Sequence, residues 1–237
     1  MPQSPEPTRD RSTLIAVALI AVLLGLFASL ASGAGSAGLL SGWDDRLIQL
    51  VRGPELESPV GPSWMLGVLQ QFSALGSGPV VALLTLVILG YLLVIRHPRT
   101  ALVFVVCILG AAFTTYWLKG VWQRPRPLAM EAAFALDSFS FPSGHSLIAA
   151  AVYPTLGGLL TRVIASRRAR IYCMVVALGL TWLIGFSRVY LGRHYPTDVL
   201  AGWCLGLAWS VAAWLVLRRL QREGVVAGPG EDELQES

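Results

Sequence analysis

Charge is scarce in this chain: Asp, Glu, Lys and Arg make up only 14% of its 237 residues, against about a quarter in an ordinary soluble domain. That shortage excludes a soluble globular protein and equally a disordered one, which would be polar throughout. Cysteine is scarce too, with three in all, too few for a disulfide scaffold. Cys107, Cys173 and Cys204 lie in apolar stretches without CxxC or Cys/His spacing and read as small core hydrophobes. Nor is there an Asp/Glu/His cluster with metal-ligand spacing. What abounds is apolar: 54% of the side chains, for a mean hydropathy of +0.62. The remaining class is an all-α polytopic membrane bundle. A net charge of +4 and a pI near 9.3 need no nucleic-acid partner, because arginine gathered in cytoplasmic loops accounts for them.

A bilayer core of about 30 Å takes roughly 20 apolar residues in a helix. Six segments suit that length, at Ser12–Ser32, Pro79–Ile95, Thr100–Leu118, His145–Thr161, Ile171–Ser187 and Val199–Leu217, and none of their cores carries a charge. The first also fits a signal peptide, with Arg9 and Arg11 before it and Ala31-Ser32-Gly33-Ala34 after it. Five further spans make a separate export signal unnecessary. The expected division is a cytoplasmic segment at 1–12, a six-span domain at 13–220 and a polar cytoplasmic tail at 221–237. Arg96 and Arg99, then Arg162, Arg167, Arg168 and Arg170, then Arg218, Arg219 and Arg222 fall on one side with the N-terminus. By the positive-inside rule that side is cytoplasmic, which puts both termini inside, and a bacterial inner membrane is the default home for apolar helices.

The opposite side holds 33–78, 119–145 and 188–198. In the first of these, Leu39–Val51 with Trp43 has the look of an interfacial amphipathic helix. The other two carry Lys119, Arg124, Arg126, Arg188 and Arg193 against the positive-inside expectation, and anion binding is the obvious reason. Of three histidines, His97 sits in a cytoplasmic loop and reads as solvated, whereas His145 and His194 stand among these cations. In Phe141-Pro142-Ser143-Gly144-His145-Ser146, Ser143 is a candidate N-cap, and the amides of a helix start attract anions; a plain cap is the alternative. Lys119 either snorkels at its helix end or joins an arginine cluster suited to phosphate oxygens. Asp198, just after Pro196, either caps its own helix or accepts the N–H of one His194 ring nitrogen, leaving the other as a nucleophile.

Taken in order, Lys119 followed six residues on by Arg126-Pro127, then Pro142-Ser143-Gly144-His145, then Ser187-Arg188 with His194 and Asp198 resemble a known three-part signature. It is that of the type 2 phosphatidic acid phosphatase/vanadium haloperoxidase superfamily, in its bacterial membrane lipid phosphatase branch. The resemblance implies that Lys119, Arg126 and Arg188 hold the phosphoryl oxygens, with Ser143 and the Gly144 amide. It further implies that His194 forms a phosphohistidine, oriented by Asp198, and that His145 protonates the leaving oxygen, without a metal or any other cofactor. Arg124 and Arg193 lie outside the signature and are expected to meet a second phosphate or lipid headgroups. The expected substrate is a membrane lipid phosphate or diphosphate, undecaprenyl diphosphate first, then phosphatidylglycerophosphate or phosphatidate. A vanadate-dependent haloperoxidase is disfavoured by the six spans. A lipid or anion transporter is disfavoured by the absence of charge within them. Oligomeric state is left open.

Overall fold

The computed structural model describes residues 11–34, 40–53, 59–127 and 139–223, all helices and connecting loops. The expected N-terminal segment and most of the polar tail lie outside these residues. In chain order the helices are α1 (Arg11–Gly33), α2 (Ser41–Arg52), α3 (Ser63–Leu75), α4 (Gly78–Val94), α5 (Pro98–Trp122), α6 (Gly144–Val163), α7 (Arg167–Tyr190) and α8 (Pro196–Arg222). Five of them, α1, α5, α6, α7 and α8, are each long and apolar enough to cross a membrane. A sixth crossing is made only if α3 and α4, which meet at a 48° bend, are taken together. This corrects the expected second span: α4 alone has 17 residues, and a full crossing needs α3, which falls within the expected loop at 33–78.

α6 forms the centre of the bundle and packs against α5, α7 and α8. Its inward residues include Leu147, Ala149, Ala150, Ala151 and Val152, all fully buried. Small residues let backbones approach where no aqueous hydrophobic effect drives helices together. On α8, Gly202 and Gly206 do the same. A side chain at Gly202 would lie 2.7 Å from the Ser143 carbonyl, and one at Gly206 would run into that of Leu147. This contact brings the first turns of α6 and α8 side by side, and the Ser143 amide donates to the Asp198 carbonyl at 3.0 Å.

α2 forms where an amphipathic helix was expected, with its polarity arranged unusually. Asp44, Ile48 and Arg52, spaced one turn apart, are buried, whereas Trp43 and Leu50 are exposed. Arg52 Nη1 donates to the Tyr190 carbonyl at 3.0 Å, tying α2 to the end of α7. Phe27, Trp122 and Phe141 cluster with ring centroids about 6 Å apart, and Trp122 Nε1 donates to the Ala31 carbonyl. That cluster pins α1 to the end of α5 and to the loop that leads into α6.

Candidate active site

Three helix ends meet at one end of the bundle. α5 contributes Lys119 in its last turns, one helical turn beyond Thr115, whose methyl group touches the position a Gly144 side chain would occupy. α6 begins there: Ser143 is its N-cap, its Oγ accepting from the Ser146 amide at 3.5 Å and from the Ser146 hydroxyl at 2.9 Å. The amides of the first turn, Gly144 and His145 among them, have no acceptor within the helix and face the same end. α7 ends with Arg188 in its last turn. Gly192, at φ 67°, adopts the left-handed conformation that closes a helix C-terminus. The chain then doubles back, with Arg193 and His194 amides both donating to the Arg188 carbonyl.

His145, His194, Lys119, Arg126 and Arg188 are thereby brought within electrostatic reach of one another. Lys119, Arg188 and His194 are buried, at 9%, 5% and 1% exposure, while His145 and Arg126 are half-buried. Arg126 Nη1 donates to the Arg193 carbonyl at 3.2 Å. Arg188 Nη1 donates to Ser73 Oγ of α3 at 2.7 Å, and its Nε is buried with no hydrogen-bond partner among the described residues. An oxyanion would satisfy that donor, since a buried polar group without a partner is costly.

The tautomer of His194 follows from its neighbour. Nδ1 lies 2.8 Å from the Ser140 carbonyl; a carbonyl only accepts, so Nδ1 carries the proton and Nε2 keeps its lone pair. Burial above all, then the charges of Arg188, Arg126 and Lys119, hold the imidazole well below its usual pKa, so the ring is neutral. This corrects the expectation for Asp198, whose Oδ2 stands 3.6 Å from Nδ1, beyond hydrogen-bond range. Asp198 instead accepts from the Tyr195 amide at 2.8 Å, closing the first turn of α8, and from Arg124 at 2.7 Å.

Arg124 is corrected as well. It is buried at 8% exposure rather than offered to headgroups. Its guanidinium donates to Asp44 at 2.8 Å, to Asp198 at 2.7 Å and to Thr197 Oγ1 at 2.8 Å, and lies 4.1 Å over the Tyr195 ring. Burial would push this guanidinium down, but the carboxylates of Asp198 and Asp44 outweigh it and hold it up. Asp44 also accepts from the Thr197 amide and hydroxyl. A four-residue polar knot thus fixes the start of α8 behind His194. Arg193 is half-buried beside the site; nothing in the structure assigns it a headgroup. Sequence reasoning missed Asp44, Ser73 and Ser140. Only Asp44 left a signal, as an acid within an otherwise amphipathic segment.

Among the described residues, no group of three or more His, Cys, Asp or Glu is arranged to hold a metal ion. The PAP2 superfamily model matches residues 100–222. Phosphatidylglycerophosphatase B of Bacillus subtilis is 42% identical over 94 residues, covering 38% of this chain and 43% of that protein. The undecaprenyl-diphosphatase of Sulfolobus acidocaldarius is 37% identical over 68 residues, 29% of each chain. The alignments therefore span less than half of these relatives' lengths. In three dimensions the chain is similar to the crystal structure of a transmembrane PAP2-type phosphatidylglycerolphosphate phosphatase from Bacillus subtilis. That match has a TM-score of 0.73 at 26% identity and covers 87% of this chain and 98% of that one. With its apolar helices, this likeness identifies an integral membrane protein.

Proposed function

The chain belongs to the PAP2 superfamily, and on that premise we propose that it hydrolyses a lipid phosphate or diphosphate through a phosphohistidine on His194. The observation that carries this reading is the gathering of two histidines and three cations at one end of the bundle. Lys119, Arg126 and Arg188 bind the equatorial phosphoryl oxygens, aided by the amides at the start of α6, and neutralise the charge that develops there. His194 Nε2 attacks phosphorus in line. A P–N bond forms, the bond from phosphorus to the leaving oxygen breaks, and His145, which enters the step as imidazolium beside the bound phosphoryl dianion, gives that oxygen its proton. Water then attacks the phosphohistidine with His145 as base, releasing phosphate and restoring both rings. Asp198 acts one step removed, by holding Arg124 and the His194 turn in place.

The site faces the extracytoplasmic side, as the concentration of arginine at the opposite end supports. Both termini are then cytoplasmic, in a bacterial inner membrane. A headgroup reaches the site while its chains stay between helices. Undecaprenyl diphosphate remains one substrate reading. The names of the Bacillus subtilis relatives, at 42% and 26% identity, favour phosphatidylglycerophosphate as a second. Phosphate release by the purified full chain from undecaprenyl diphosphate, phosphatidylglycerophosphate, phosphatidate and lipid A, with EDTA present, tests the proposal. Turnover of at least one is expected; a strict divalent-ion requirement, or no turnover of any, contradicts it.

A further inference from the structure

At the opposite end of the bundle a groove of about 420 Å³ opens between α1, α6, α7 and α8. Its lining runs from Pro154 to Arg162 on α6 and from Leu207 to Leu217 on α8. These stretches of helix span about 12 and 15 Å, so with Arg162 at headgroup depth the groove extends toward the bilayer middle within one leaflet. Its walls are otherwise almost wholly apolar, and Arg162 is the one charged residue in them. Arg162 is half-buried and has no ion pair or hydrogen bond with any described residue. Its neighbours are engaged: Arg170 donates to the Ile164 and Ala165 carbonyls, and Arg218 donates to Ser12 and stacks on Trp214. The described arginines around this end face a single described acid, Glu223, which itself pairs with Arg219. The local field therefore selects a negative ligand.

Of two adjacent glycines of α6, one points the same way. Gly157 is explained by packing, since a side chain there would lie 3.1 Å from Ala177. Gly158 meets nothing within 4 Å and lines the groove. Its helix gains nothing from glycine; what it provides is the volume of the groove.

We infer that this groove binds one anionic phospholipid of the cytoplasmic leaflet, an acyl chain lying along Gly158 and the phosphate on Arg162. Native mass spectrometry of the detergent-purified full chain tests this with dioleoyl-phosphatidylglycerol against dioleoyl-phosphatidylcholine, orthovanadate being added to occupy the histidine end. One phosphatidylglycerol should be retained about fivefold over phosphatidylcholine, the worth of one headgroup contact to arginine. Arg162→Gln should erase that preference. Gly158→Leu should lose the bound lipid while keeping phosphate release, and Gly158→Ala, too small to fill the groove, should keep both. Equal retention of the two lipids by the unaltered chain, or undiminished retention by Gly158→Leu, overturns the inference. So does retention that appears only after Glu231, Asp232, Glu233 and Glu236 are neutralised, which would give Arg162 to the chain's own tail. Because retention is read without turnover, a failed phosphatase assay leaves this test intact.

Discussion

Both ends of this helix bundle are rich in cations, and they use them in opposite ways. At the histidine end Lys119, Arg124 and Arg188 are each under 10% exposed and are fixed by elements far apart in sequence. At the other end Arg219 is 82% exposed, and its partner Glu223 lies one turn away at the C-cap of the same helix. A solvated pair of that kind is screened and contributes little. Burial raises every electrostatic interaction, attractive or repulsive. Lys119, Arg126 and Arg188 gathered around two imidazoles are therefore the arrangement that an oxyanion would relieve, whereas the exposed arginines of the other end, half-buried Arg162 apart, offer none. Convergence and desolvation, not the count of charges, distinguish the two ends.

The contrast can be broken most severely at His194. Its replacement by alanine should lower phosphate release by about six orders of magnitude, as loss of the nucleophile does in a serine protease, with the protein still eluting as a folded species in detergent. Next comes the polar knot. Asp44→Ala leaves Arg124 buried beside one carboxylate instead of two and should cost on the order of 3 kcal/mol of stability, read as a fall in melting temperature. Lys119→Ala and Arg188→Ala should each lose about 3 kcal/mol of transition-state stabilisation, roughly a hundredfold in kcat/KM. They should also move the pH profile. Each cation helps to hold the His194 pKa down, so removing one raises it, and the acid limb of kcat/KM shifts to higher pH. An acid limb that stays in place would separate these cations from His194. Ser73→Ala should reduce kcat severalfold by freeing the Arg188 side chain, about the worth of one hydrogen bond, with recovery in Ser73→Thr. Arg219→Ala, at the other end, should change neither melting temperature nor turnover.

Much of the candidate site was legible because the residues proposed for its chemistry lie in three short segments with local turn signals. Pro-Ser-Gly before His145, Pro196 before Asp198 and the paired prolines after Lys119 each mark a helix end in sequence. The spans were legible for the same reason, except at α3. That helix has 13 residues, too few to cross alone, and its bend into α4 depends on packing. At Gly76, where the two meet, a side chain would lie 2.7 Å from Ile184 and 3.2 Å from the His145 carbonyl. What sequence could not show was long-range pairing. Asp44 meets Arg124 across 80 residues and Ser73 meets Arg188 across 115. His194 is oriented by the backbone of Ser140, a contact that no residue type advertises. Asp198 was assigned that role because a carboxylate four residues from a histidine can reach it. In the fold its oxygens serve Arg124 and the start of its own helix first.

The central claim is that a neutral, buried imidazole is the nucleophile at the converged end. Rapid quenching of the purified chain with ³²P-labelled lipid phosphate addresses it most directly. An acid-labile, base-stable phosphoenzyme that maps to His194 and forms no slower than phosphate is released is expected. Label on any other residue, or turnover with no phosphoenzyme at any quench time, would contradict it.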